Sequence, residues 1–311
     1  MRGRLGIIAI VIGVLVDIVL VTLAVRHVRP VDPDAGSSAG SSAGSSDGSG
    51  QPAASANPSE PGSSRARGTK AAPSGPTYLS LALDGSLLRA TRGSCEDDVS
   101  PVVETSSDGG ATFVRTNDGP DLSEVLRVAS NSRDDMWLVG LNADCEPTYY
   151  ETQNAAADWD RAAGTAGLWH LVPDRTRPLV HSPSGPVDVP CVPSDLSPLE
   201  LGLVRALCRD GQIVASTDEG QSWLVLPDLE GAAAVRWTTG TNAYALAAKQ
   251  DCKAAVLTSA DAGTTWKRLT CLGQGAPLAI DATGDSLAAQ VGERLHVSAD
   301  GGASWNVPDP G

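Results

Sequence analysis

The chain has 311 residues and a formal net charge of −14, with 41% hydrophobic residues: enough apolar content for a packed core, and the wrong sign of charge for a nucleic-acid binder. Gly 33 and Pro 21 against one Phe and two Met imply many short turns and exclude an all-helical bundle.

Leu5 to Val25 is one apolar run holding fifteen Leu, Ile or Val, long enough as a helix to cross a bilayer. Its central Asp17 costs about 2.5–3.5 kcal/mol on insertion scales, which the Leu, Ile and Val residues together offset at roughly 0.3–0.6 kcal/mol each. Arg26, His27 and Arg29 follow the run in place of a small-residue cleavage site, so residues 1–30 read as an uncleaved signal-anchor rather than a removed signal peptide. Residues 31–77 form a Ser/Gly/Ala/Pro-rich linker, opening with Ser37-Ser-Ala-Gly repeats, that offers almost nothing to bury and is expected to stay disordered. All six cysteines lie beyond residue 90, an even number, as suits a disulfide-bearing domain outside the cytoplasm.

Residues 78–311 carry an internal repeat. Four octapeptides share the spelling S-x-D-x-G-x-[ST]-[WF], with fixed positions at Ser106, Asp108, Gly110 and Phe113; Ser216, Asp218, Gly220 and Trp223; Ser259, Asp261, Gly263 and Trp266; and Ser298, Asp300, Gly302 and Trp305. An eroded fifth copy runs from Thr152 to Trp159. Each fixed position suits a hairpin turn, because Asp accepts backbone amides, Gly supplies positive φ and the aromatic packs beneath. These segments are similar to the Asp-box, or BNR repeat, of sialidase- and sortilin-type β-propellers and of photosystem assembly factors of the Ycf48 kind. The resemblance implies a structural role, joining the outer two strands of a four-stranded blade.

The aromatic positions 113, 159, 223, 266 and 305 are separated by 46, 64, 43 and 39 residues, close to one blade each except at the long gap. Within that gap, Leu168 to Cys191 reads as three brief strands punctuated by Pro, giving six blades with the third degenerate; five or seven stay open. Leu87, Trp137 and Tyr244 precede Cys95, Cys145 and Cys252 by eight positions each, which places these cysteines, with Cys208, between second and third strands. Cys271 ends a fourth strand and Cys191 is read likewise, so all six share the face opposite the octapeptide turns. The pairing expected is Cys95–Cys145, Cys191–Cys208 and Cys252–Cys271, out of fifteen connectivities.

Chemistry is harder to find. The sialidase resemblance implies an arginine triad, a tyrosine assisted by a glutamate, and an aspartate acid/base. The opening strand Thr77–Leu83 lacks the expected arginine, Arg177-Pro178 falls in the degenerate blade, and Tyr149, Tyr150 and Glu151 belong to a strand where Tyr is ordinary. No catalytic residue is carried over. His27, His170, His181 and His296 share no metal-ligand spacing, and neither a metal nor a cofactor is expected. Cys95-Glu96-Asp97-Asp98, Asp144-Cys145-Glu146 and Asp210 would make the cysteine-bearing face negative, attractive to a basic partner. Arg127 and Arg236, in first strands of blades two and five, are candidates to face the central channel and bind an anion, or else to be satisfied by carbonyls or by Asp281. The reading is a monomeric, membrane-anchored extracytoplasmic propeller that binds a protein or glycan without catalysis; the alternative is a sialidase-like glycoside hydrolase.

Overall fold

The computed structural model describes residues 77–309 apart from 98, 117–119, 163 and 174–176. The expected anchor and linker lie outside the described residues, among which no helix is long and apolar enough to cross a membrane.

The described chain is all β, in six antiparallel sheets. Blade 1 is β1 (Thr77–Leu81), β2 (Leu87–Thr91), β3 (Val103–Ser106) and β4 (Val114–Arg115); blade 2 is β5 (Glu124–Ser130), β6 (Met136–Leu141), β7 (Pro147–Thr152) and β8 (Asp160–Ala162). Blade 3 has three strands, β9 (His170–Leu171), β10 (Leu179–Ser182) and β11 (Gly185–Asp188). Blade 4 is β12 (Pro193–Pro198), β13 (Val204–Cys208), β14 (Ile213–Ser216) and β15 (Leu224–Leu226); blade 5 is β16 (Ala232–Trp237), β17 (Ala243–Lys249), β18 (Cys252–Ser259) and β19 (Lys267–Cys271). Blade 6 is β20 (Pro277–Thr283), β21 (Ser286–Val291) and β22 (Arg294–Ser298), with its fourth strand reduced to one bridge between Val297 and Asn306. The innermost strands β1, β5, β9, β12, β16 and β20 touch in a closed cycle, making a six-bladed β-propeller. Apolar residues alternate so that both faces of each inner and middle strand are covered by neighbouring blades, and the core is a ring of inter-blade clusters.

The octapeptides form the turns between third and fourth strands, and one hydrogen-bond scheme recurs. In blade 5 the Ser259 hydroxyl donates to Asp261 (2.8 Å) and accepts from the Gly263 amide (2.9 Å), while Asp261 accepts from the Thr265 amide (2.9 Å). Blades 1, 4 and 6 repeat it through Ser106 and Asp108, Ser216 and Asp218, and Ser298 and Asp300. The eroded copy keeps it too: Thr152 accepts from the Ala156 amide (3.2 Å) and Asn154 accepts from the Asp158 amide (3.1 Å).

The aromatic that ends each turn wedges into the seam with the preceding blade. Phe113 packs on the cluster between blades 6 and 1, Trp159 on that between 1 and 2, Trp223 between 3 and 4, Trp266 between 4 and 5, and Trp305 between 5 and 6. The turn glycine presses on the same seam. A Cβ on Gly110 would lie 2.1 Å from Leu295 of blade 6, and one on Gly220 2.6 Å from Val187 of blade 3, so close approach demands glycine as much as its positive φ does.

Blade 3 departs from the pattern in an informative way. Trp169, just before β9, donates its indole N–H to the Leu201 carbonyl (2.8 Å) in the β12–β13 loop on the turn face, whereas Leu171, at the end of β9, lines a cleft on the opposite face. β9 therefore runs opposite to the other five innermost strands. Among the described residues the blade retains the second, third and fourth strands of the pattern and lacks the first; β11, its outermost strand, stands in the fourth-strand place and puts Cys191 on the expected face.

Candidate functional site

Three disulfides, Cys95–Cys145, Cys191–Cys208 and Cys252–Cys271, occupy the face opposite the octapeptide turns. The first joins blade 1 to blade 2, the second ties the blade 3–4 link to β13, and the third closes the outer half of blade 5. Cys145 takes φ 61° at the tip of its loop, where the Asn142 side chain accepts from the Asp144 (3.0 Å) and Glu146 (2.9 Å) amides.

On this face a cleft of about 600 Å³ opens among blades 1 to 4. It exists because blade 3 lacks its first strand: two residues of β9 cannot fill the space, and Val172, Pro173, Pro178 and Leu179 form an apolar wall opposite the Cys95–Cys145 staple. The cleft itself carries both signs of charge. Glu96 and Asp97 line the cleft, but so do Arg92, Arg177 and Arg209. Arg92 pairs with Glu124 at 2.7 Å, whereas the Arg209 side chain is exposed with no partner among the described residues.

Arg92 and Arg209 also rim a second space of about 440 Å³, the mouth of the central channel, whose other walls are the beginnings of β1, β12, β16 and β20. Beneath it is a chamber of about 20 Å³ lined by Tyr78, Leu79, Leu126, Arg127, Val128, Leu171, Asp195, Leu196 and Arg236. The arginines flagged by sequence thus both face the channel, with different fates. Arg236 makes a 2.7 Å ion pair with Asp281 and donates to the Leu196 carbonyl (3.1 Å); burial pulls its pKa down, but Asp281 and Asp195 carry it above its ordinary value. Arg127 donates one Nη to the Trp169 carbonyl (2.8 Å) and lies over the Trp137 ring at 4.8 Å, with no carboxylate at ion-pair distance among the described residues. Burial, then the Arg236 charge, push it down to about 9, so it is still a cation at neutral pH. Both reach for the next blade round the ring: Arg236 meets Asp281 on β20, and Arg127 meets blade 3, where no first strand supplies an acid.

Sequence reasoning missed Asp195 and Tyr78. Asp195 accepts from the Leu196 and Val235 amides, both at 2.9 Å, and burial nevertheless raises its pKa. Tyr78 reaches across the channel, packing on both the blade 1–2 and the blade 3–4 clusters, and burial raises its phenol. Only the first-strand position of each residue signalled a channel role. Elsewhere, Tyr149 donates to Glu151 at 3.1 Å beside Trp137; burial and this bond push the phenol up to about 12, the opposite of activating it as a nucleophile. His170 and His181 stack at 4.5 Å across β9 and β10, each ring bonded through Nδ1 to a backbone carbonyl.

No family model and no curated protein matches the chain. Among solved structures, YCF48 from Cyanidioschyzon merolae is similar at 12% identity over 70% of this chain and 80% of that one, TM-score 0.45. The Niastella koreensis GH74 enzyme is similar at 16% identity over 72% of this chain and 36% of that one, TM-score 0.38. A fungal lectin from Aleuria aurantia, a six-bladed propeller with fucose recognition, is similar at 11% identity over 76% of this chain and 95% of that one, TM-score 0.44. These likenesses concern architecture alone, and the six-bladed fold itself rests on the closed ring of sheets.

Proposed function

We propose that the protein is a membrane-anchored, extracytoplasmic Asp-box propeller acting as a non-catalytic binding or assembly module, its partner a protein or glycan docking on the disulfide-bearing face. The observation that carries this reading is the cleft and the channel mouth side by side on that face, sharing Arg92 and Arg209 and held by loops that the disulfides staple. The apolar run at 5–25 and the even cysteine count support the anchor and the oxidising compartment. The sialidase-like alternative has one observation in its favour, the Tyr149–Glu151 hydrogen bond, but the raised phenol and the engagement of nearby Arg161 with Thr148 (3.0 Å) set no arginine against a substrate carboxylate there.

Photocrosslinking amino acids at Arg209 and, on the opposite face, at Gln221 test the assignment in membranes from the source cells. Adducts from position 209 alone are expected; adducts from 221 alone would place the partner on the other face. A fluorogenic glycosidase panel including a sialoside, run in parallel, is expected to show no turnover. Turnover abolished by Glu151→Gln would replace the binding reading with the hydrolase.

A further inference from the structure

We propose that the channel mouth and the chamber beneath it bind a small monocarboxylate with an apolar body, its carboxylate gripped by Arg127 and the Tyr78 hydroxyl. The proposal deepens the reading of the disulfide-bearing face as the binding face by naming a ligand class for one part of it.

The argument starts from unmatched donors. Arg127 spends one Nη on the Trp169 carbonyl, which leaves Nε and the other Nη, the forked edge that fits a carboxylate by two parallel hydrogen bonds, without partners among the described residues. Arg127 lines the chamber beneath the mouth. The Tyr78 hydroxyl likewise makes no hydrogen bond among the described residues, and its raised pKa keeps it a neutral donor. The acids nearby are already served. Asp281 takes Arg236 and the Leu81 amide (2.7 Å), and both Asp195 oxygens take backbone amides. Glu124 takes Arg92.

Size and polarity select the ligand. About 20 Å³ leaves room for only a small head, and the planar forked edge of Arg127 suits a planar carboxylate. The chamber shares Tyr78, Leu79, Asp195 and Arg236 with the mouth above, so a head and a body can occupy the two together. The mouth, at about 440 Å³, is within the range of small-molecule pockets, and Leu79, Ala234, Leu278 and Ile280 give it an apolar wall for the body. Arg127 is the chamber cation with no carboxylate at ion-pair distance among the described residues.

Isothermal titration of the full chain in detergent tests this with benzoate, acetate and benzyl alcohol, which separate head plus body, head alone and body alone. Saturable binding is expected for benzoate, weaker binding for acetate and none for benzyl alcohol. Arg127→Met is expected to weaken benzoate about 10- to 100-fold, and Tyr78→Phe, which keeps the ring and the fold, about 3- to 10-fold. Lys267→Met, at an exposed position on the outermost strand of blade 5, should leave benzoate within about 2-fold. Equal binding of benzyl alcohol, unchanged affinity in folded Arg127→Met and Tyr78→Phe, or no saturable carboxylate binding overturns the proposal. Such a result leaves crosslinking from position 209 untouched, so the two readings fail separately.

Discussion

Ser259 shows how much one buried hydroxyl does in these turns. It is 3% exposed, donates to Asp261 and accepts from the Gly263 amide, which has no other partner among the described residues and lies against the seam with blade 4. Ser259→Ala leaves that amide unsatisfied, and the expected loss is about 1–3 kcal/mol in urea denaturation. An unchanged midpoint would mean that the turn is held by its aspartate alone. His170 makes a pH prediction at the same scale. Its ring is 1% exposed; burial, opposed in part by the bond to the Leu171 carbonyl, pushes its pKa down to about 4 from an ordinary 6.5. The unfolded chain therefore binds a proton below pH 6.5 that the folded chain refuses until about pH 4, so stability falls as pH falls through that window and levels off below it. The full effect is about 3 kcal/mol. Denaturation at pH 7 and pH 4.5 should show a smaller acid loss in His170→Gln than in the natural protein, and identical losses would place the acid sensitivity in other groups.

Among elements, the disulfides divide by what they connect. Cys191–Cys208 and Cys252–Cys271 close loops of 17 and 19 residues within or beside one blade, while Cys95–Cys145 spans 50 residues and two blades. On loop entropy, removing Cys95 and Cys145 together costs about 4 kcal/mol against about 3 kcal/mol for Cys252 and Cys271. Chemical denaturation of the two double alanine variants checks the order, and a reversed order would mean that native-state packing outweighs chain entropy. Strand alternation fixes a loop's face and the octapeptides fix the strand count, which is why sequence could put all six cysteines on one face; the choice among fifteen pairings comes from the structure. The same logic reached the six blades and the degenerate third. It could not reach the direction of β9, because a two-residue strand carries no periodicity and the turn at Ser182-Pro183-Ser184-Gly185 is too short to spell the repeat. The site was hidden for that reason: the cleft is made by what blade 3 lacks, and an arginine's want of a partner is a property of its neighbours in space.

At the scale of the whole molecule, the ring must close between blade 6 and blade 1 without exchanging strands, since β1 to β4 all belong to blade 1 and β20 to β22 to blade 6. Two polar contacts and one apolar cluster do this. Asp281 on β20 accepts from the Leu81 amide of β1, Arg89 bonds Gln290 (3.1 Å), and Leu79, Leu81 and Leu87 pack with Ala279, Ala288 and Leu295. Asp281 also balances Arg236 of blade 5 at 2.7 Å, so one carboxylate couples three blades around the channel. Removing it strands a buried guanidinium and a buried amide at once. Asp281→Ala is expected to cost about 3–5 kcal/mol, the range for breaking a buried pair by deleting one partner. Asp281→Asn keeps an oxygen for the Leu81 amide and should cost less. Because the loss falls on the closure, hydrogen exchange in Asp281→Ala should accelerate first in β1 and β20, with β13 and β14 of blade 4 following only at global unfolding. Uniform acceleration through all six blades would mean that the ring opens as one cooperative unit, with no weaker seam where its ends meet.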